Sequence, residues 1–211
     1  MKILHLDSSI TREFSITRQL SSLVVKKLAE TSQLNSVIYR DLVSDEIAHL
    51  TGDIAAGFRP VPGSPSATEK LAGEYQLSNI LINEFMASEV IVIGAPMYNF
   101  SVSSQLKAWM DRIAQPGKTF SYTAQGPVGL AGGKKIIIVS ARGGFYHHTA
   151  LEQMDFQELY LRKFLAFLGI NQVAFIRAEG ASKGEDIKQQ EISRAVASIP
   201  QVIDNILNNG E

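Results

Sequence analysis

The 211-residue chain contains no cysteine. That absence excludes a disulfide framework, thiol catalysis, cysteine-ligated zinc and iron–sulfur clusters. It suits a reducing compartment, and the expectation is a cytoplasmic protein. A dominant charge sign is also missing. Twenty basic against 21 acidic residues leave a net charge of −1, which speaks against nucleic-acid binding through a whole-domain basic field. Long hydrophobic runs are absent. The runs at residues 90–94 and 136–139 fall far short of the roughly 20 residues that a membrane-spanning helix needs. The apolar start meets Asp7 too soon for a signal peptide. No nucleic-acid or membrane partner is therefore expected. Neither G-x-G-x-x-G nor G-x-x-x-x-G-K-[ST] occurs, so the dinucleotide fingerprint and the P-loop are both excluded.

What is present is an ordinary globular balance, with 45% hydrophobic and 19% charged residues, read as one domain over residues 1–211. Short β-branched apolar runs at residues 2–7, 35–42, 89–94, 134–140 and 172–178 predict five strands. Stretches of helical period separate them, near residues 16–28, 68–88, 103–114, 152–168 and 185–207. Pro200 is expected to kink or divide the last helix. This alternation predicts a three-layer, doubly wound parallel α/β fold with all strand C-termini on one edge. Two segments depart from the minimal plan. Residues 44–66, rich in Gly and Pro, read as an irregular excursion, and residues 120–130 read as a loop or small hairpin.

Three strand ends are unusual. The first leads into Ser8-Ser9-Ile10-Thr11-Arg12-Glu13-Phe14-Ser15-Ile16-Thr17, five hydroxyls before a helix. Hydroxyls and free N–H groups at a helix start suit a phosphate, and helix capping by Ser15 explains part of the run equally well. The third leads into Ala95-Pro96-Met97-Tyr98-Asn99-Phe100-Ser101, a wall suited to a flat ring or a plain turn carrying two core aromatics. The fourth leads into Ser140-Ala141-Arg142-Gly143-Gly144, where a Gly pair permits close backbone approach or simply a tight turn. A doubly wound order that sets strands one, three and four side by side would bring all three to the topological switch point.

With those residues in view, the chain resembles the bacterial FMN-dependent NADH-azoreductases, also described as NADH:quinone oxidoreductases. Ala95-Pro96-Met97-Tyr98-Asn99-Phe100, Gln105-Leu106-Lys107, Gly126-Pro127, Gly129-Leu130 and Arg142-Gly143-Gly144 carry the resemblance. It implies a flavodoxin-like fold, one non-covalent FMN per subunit, NADH as electron donor, and a homodimer with active sites at the subunit interface. By position, Ser9, Ser15, Ile16 and Thr17 would hold the FMN phosphate. Met97, Tyr98, Asn99 and Phe100 would line the ring, and Ser140, Ala141, Arg142, Gly143 and Gly144 would meet its polar edge. Phe120, Tyr122 and Phe164 fall where the resemblance implies a substrate pocket. No catalytic side chain and no metal are called for, because the flavin carries the hydride. Arg12, Arg59 and Arg142 are candidates to meet the dinucleotide.

Other features read as structural. Trp109 shares a helical stripe with Leu106 and Ile113 and is expected in the core. His147 and His148, adjacent on the chain, are expected to point apart and to form a poor metal site. The segment 152–168 is apolar nearly all round, which calls for burial on more than one side. Two rival functions share the fold: an FMN electron carrier without a substrate pocket, and a non-catalytic nucleotide-binding module.

Overall fold

The computed structural model describes residues 1–31, 36–58 and 69–208, with the side chains of Glu69 and Lys70 left aside. Residues 59–66 of the expected excursion, including Arg59, lie outside the described residues, as do Asn35 and Thr68 at the expected starts of a strand and a helix. The elements run β1 (Lys2–Asp7), α1 (Ile16–Glu30), β2 (Ser36–Asp41), α2 (Gly52–Ala56), α3 (Glu69–Ala87), β3 (Val90–Pro96) and α4 (Ser104–Ile113). The chain continues through β4 (Phe120–Thr123), β5 (Gly126–Gly129), β6 (Lys135–Ala141), α5 (Phe156–Phe167), β7 (Gln172–Ala178) and α6 (Glu185–Asn208).

Five strands form one parallel sheet in the order β2-β1-β3-β6-β7. The chain winds outward from β1 to β2 and then crosses to β3 on the other side, so the switch point lies between β1 and β3. Successive residues of a strand face opposite sides, and the core is accordingly split in two. Leu4, Leu6, Ile91, Ile93, Ile136 and Ile138 pack with Leu81, Phe85, Trp109, Leu161 and Leu165 from α3, α4 and α5. On the other face, Ile3, Val92, Ile137 and Val139 pack with Leu20, Val24, Leu28, Ile192, Ile199 and Ile203 from α1 and α6. Each such aliphatic side chain, fully buried, contributes about 1.5–3 kcal/mol. This double coverage explains why β3 and β6 read as continuous apolar runs.

The doubly wound five-strand expectation holds, and residues 120–130 are a hairpin of β4 and β5. Trp109 is in the core, edge-on to Phe85. Two expectations need correction. Of the two outcomes expected at Pro200, division does not occur: α6 is one continuous helix through it. The proline is on the exposed side, while Ile199 and Ile203 anchor the helix on both sides of it, so the lost backbone bond faces water. The helix expected over residues 152–168 is a 3-10 turn at Glu152–Met154 followed by α5, because the Asp155 side chain caps α5 by accepting from the Glu158 N–H. Of its apolar residues, Phe156 and Leu159 are more than half exposed, so this chain buries α5 on one side only.

Candidate functional site

The end of β1 is fixed first. The Ser8 Oγ donates to the Gly94 carbonyl at 2.8 Å, tying β1 to β3. A 3-10 turn at Arg12–Phe14 then leads to α1. The Ser15 Oγ accepts from the Arg18 N–H at 3.2 Å and shares a hydrogen bond with the Thr17 hydroxyl, so Ser15 is indeed a helix cap. The N–H groups of Ser9, Ile16 and Thr17 have no partner, which leaves the positive end of α1 open to an anion.

The structure also shows residues that the sequence reading missed. Arg18 donates through Nε and Nη2 to the Ser9 carbonyl at 3.3 and 3.0 Å, forks onto Asp41 at 2.7 and 2.6 Å, and reaches the Tyr39 hydroxyl. The Arg18 hydrogen bond, against the opposing effect of burial, holds the Asp41 carboxyl well below the usual range. Burial, then the Asp7 charge, pushes the Tyr39 phenol up to about 12. Asp7 accepts from both Ser21 and Tyr39. The register alone pairs Asp7 with Asp41 and with Gly94, and a side chain on Gly94 would collide with the Asp7 carboxylate. These groups brace the first loop from beneath. Their sequence signal was only an acidic residue at the end of each of two neighbouring strands.

At the end of β3, residues Tyr98 to Ser101 form a two-residue turn closed by reciprocal 3.0 Å backbone bonds. Its central residues, Asn99 and Phe100, both take positive φ, 48° and 69°. That conformation is costly for a bulky residue and is typically retained at functional sites. The Tyr98 hydroxyl shares a 3.2 Å hydrogen bond with Ser9 Oγ and accepts from the Ile10 N–H, joining the ends of β1 and β3. The N–H groups of Asn99 and Phe100 are unpartnered.

At the end of β6, the carbonyls of Arg142, Gly143 and Gly144 accept from the N–H groups of Ala181, Ser182 and Gly180. The N–H groups of Gly143, Gly144 and Phe145 are left without a partner. The Ser140 hydroxyl is buried and also unpartnered. Arg142 departs from the expectation of a side chain at a ring edge. Its guanidinium is fully buried and pairs with Asp155 at 2.8 Å, with Glu179 at 3.1 Å and with Glu158. Burial favours a raised Glu158 carboxyl, but the hydrogen bond and charge of Arg177, with Arg142 behind it, hold it below its ordinary value.

A cavity of about 390 Å³ collects these ends. Ser9, Ser15, Ile16, Thr17, Met97, Tyr98, Ala141, Arg142 and Gly143 line it, with Phe14 and Ser182 in addition. A wider one of about 890 Å³ adjoins it through Met97 and Tyr98, and reaches Asn99, Gln105, Lys107 and Tyr160. Burial pushes the Tyr160 phenol up, so it stays neutral. The expected pocket aromatics are not gathered there. Phe120 is fully buried against Phe167 and Tyr122, so its side chain belongs to the core beneath the hairpin. Tyr122 is 72% exposed, and Phe164 packs beside Tyr160 at 6.3 Å. Arg12 is exposed, with a φ of 49°. The two histidines do not point apart. His148 takes a φ of 57°, which stacks its ring 3.8 Å from that of His147 and near Glu152. Burial, then Arg177 and His148, hold the His147 imidazole below its ordinary value.

Fold and cavity together define a doubly wound α/β protein with a cavity bordered by unpartnered backbone N–H groups at its topological switch point. A family described as having a flavodoxin-like fold matches residues 1–203. The chain is 51% identical over 206 residues to a Xanthomonas euvesicatoria pv. vesicatoria protein named FMN-dependent NADH:quinone oxidoreductase 2, covering 98% of this chain and 95% of that one. It is 48% identical over 207 residues to a Ralstonia nicotianae protein named FMN-dependent NADH:quinone oxidoreductase, covering 98% and 99%. The fold is similar to that of an azoreductase from Bacillus anthracis, with a TM-score of 0.87 at 24% identity, covering 97% of this chain and 99% of that one. The chain belongs to the family of FMN-dependent NADH:quinone oxidoreductases.

Proposed function

We propose that this protein is an FMN-dependent oxidoreductase that takes electrons from NADH and passes them, in a second half-reaction at the same site, to quinones and aromatic azo compounds. One observation carries the reading. The 390 Å³ cavity is bordered by four residues, Ser9, Ile16, Thr17 and Gly143, whose N–H groups have no partner among the described residues. Unpartnered donors at a helix start and along a Gly-rich loop fit a phosphate joined to a polar ring.

Ser9, Ser15, Ile16 and Thr17 would hold the phosphate. Met97, Tyr98, Asn99 and Phe100 would flank the ring, and the stretch 140–144 would meet its polar edge through backbone and the Ser140 hydroxyl, not through the Arg142 side chain. FMN, when bound, supplies the two-electron chemistry. The chain's own task is to bind, orient and exclude water. Preorganised N–H donors beside a group that gains negative charge on reduction stabilise the charged state. The acceptor is read into the 890 Å³ cavity with Gln105 and Tyr160, and Tyr122 and Phe164 are read as pocket residues contributed in part across the subunit interface.

A homodimer is supported by the apolar residues left exposed in the loops after β3 and β6 and on α5. Phe100, Phe145, Leu151, Phe156 and Leu159 are between 37% and 57% exposed, and α5 lacks cover on one side. The whole chain is read as one domain. A cytoplasmic address is supported by the lack of cysteine, and no helix among the described residues is long and apolar enough to cross a membrane.

The test is the visible spectrum of the purified protein with added FMN, before and after anaerobic NADH, followed by titration with a quinone. Bound flavin that bleaches with NADH and recolours with quinone is the expected result. Flavin that binds but stays oxidised would support the electron carrier. No flavin uptake would remove the reading altogether.

A further inference from the structure

The loop after β6 is held by a residue that does not border the cavity. Glu179, just beyond β7, is 7% exposed. Its Oε1 accepts three hydrogen bonds, from the Tyr146 N–H at 3.0 Å, the His147 N–H at 3.1 Å and Arg142 Nη1 at 3.1 Å. Among the described residues, its other oxygen accepts no hydrogen bond. The neighbouring residues 180–182 take the carbonyls of Gly144, Arg142 and Gly143. The segment 142–147 is therefore clamped at both ends of its unpartnered stretch. Carbonyls are drawn to one side by residues 180–182, and the two N–H groups that follow are drawn in by Glu179. Between these ties, Gly143, Gly144 and Phe145 present three consecutive free N–H groups. Neither glycine nor a flexible loop would hold such a row unaided, because glycine has the widest backbone freedom of all residues.

We infer that Glu179 is a positioning residue: its single carboxylate oxygen fixes the orientation of the free amide row 143–145, and so sets how strongly the site favours reduced over oxidised FMN. The inference rests on the reading of the cavity as an FMN site. Arg142 has a second part in it. Its contacts with Asp155 and Glu158 tie Glu179 to the start of α5, so the amide row is referenced to the rigid core and not to the surface.

All three donors converge on one oxygen, which makes two substitutions informative together. Glu179→Gln keeps an acceptor at that oxygen and loses the charge. Glu179→Met fills a similar volume, loses the charge and has no comparable acceptor. The difference between them isolates the anchor from the charge. Two readouts apply: amide hydrogen exchange of residues 143–148 in the protein as purified, before FMN is added, and the midpoint potential of FMN bound to the full chain.

In Glu179→Met, exchange at Tyr146 and His147 is expected to accelerate at least tenfold over Glu179→Gln. A tenfold loss in the preference for the reduced state is expected with it, which lowers the potential by about 30 mV relative to Glu179→Gln. If Glu179→Met does not fold, Glu179→Asp serves. It keeps the charge beside Arg142 but withdraws the oxygen from the two amides, and faster exchange than in the wild type is again expected. Equal exchange and equal potential in the Gln and Met variants would overturn the proposal, because charge alone would then account for Glu179. If the wild-type chain takes up no FMN, the parent reading and the potential claim fall together, and the exchange comparison still decides whether Glu179 is the anchor.

Discussion

Replacing Arg142 with methionine tests the buried ion cluster directly. The guanidinium is fully buried among Asp155, Glu158 and Glu179, and Arg177 pairs only with Glu158. Removing Arg142 leaves three carboxylates around one arginine. Methionine replaces most of the volume, so the loss is electrostatic and not a cavity. Breaking a buried pair by removing one partner costs about 3–5 kcal/mol. Against a typical stability of roughly 5–15 kcal/mol, the variant folds but is weakened. At 2–4 °C per kcal/mol for a chain of this size, the melting temperature should fall by about 6–20 °C.

The sign of the pH dependence follows from the same geometry. In the wild type, the Glu158 carboxyl lies below its ordinary value. Its contribution is therefore present above the unfolded value and is lost as pH falls through the folded value. In the variant, part of that support is gone. The carboxylates left behind repel one another while charged, which adds to the loss at neutral pH. Both effects make the deficit largest near neutrality and smaller in acid. Urea denaturation of both proteins at about pH 7.5 and about pH 3, below the unfolded carboxylate value, measures it. A deficit below about 1 kcal/mol, or one equal at the two pH values, would refute the reasoning.

Three further outcomes are expected. Asn99→Ala should weaken FMN binding about tenfold, because it holds a side chain at positive φ without the local hydrogen bonding that eases Asn there. Asn99→Gly keeps the conformation and should bind within about twofold of wild type, so equal losses in a fluorescence titration would assign the effect to the side chain. Tyr98→Phe removes the hydroxyl shared by Ser9 and Ile10. It should loosen FMN about two- to tenfold, at about 0.5–1.5 kcal/mol for a hydrogen bond, and an unchanged dissociation constant would count against it. Asp41→Asn should destabilise the protein at neutral pH. The Asp41 carboxyl is held low chiefly by Arg18, so its stabilisation is full above the unfolded carboxylate value of about 3.9 and fades as pH falls below it. A constant difference between variant and wild type from pH 7 down through about pH 3 would exclude this.

The fold was legible because it is written in periodicity. β3 and β6 are apolar without a break, since both faces of the sheet are covered, and the helices carry stripes such as Leu106, Trp109 and Ile113. The strand-end residues were legible for a related reason: Ser9, Ser15, Met97 and Gly143 lie where parallel strands must end on one edge. Side-chain direction was not legible. Arg142 lies in a glycine-flanked turn that reads as surface, yet it turns inward to carboxylates 13, 16 and 37 residues further on. No local pattern announces contacts at such separations. Phe120 failed for a similar cause, because the hairpin folds its first aromatic under the sheet's edge helices and leaves Tyr122 outside. The paired histidines failed because a positive φ at His148 is a tertiary outcome, not a preference of the residue.

The distribution of strain and buried charge carries a further point. Among the described residues, the non-glycine ones with positive φ, Arg12, Asn99, Phe100 and His148, all lie in loops beyond the C-terminal ends of β1, β3 and β6. The braces lie directly behind them: Arg18 with Asp41 behind the first loop, Gln157 donating to the Ala95 and Pro96 carbonyls behind the second, and Arg142 with Glu179 behind the third. A buried ion pair is a weak source of net stability, since desolvation offsets most of the attraction, so these pairs are better understood through what they orient. Each one holds backbone whose N–H groups are left free. A site that relies on main-chain donors cannot be tuned by changing the donor itself. Its tuning residues have to sit one layer behind, as Asp41, Gln157 and Glu179 do outside the cavity lining, and the Glu179 substitutions measure that dependence.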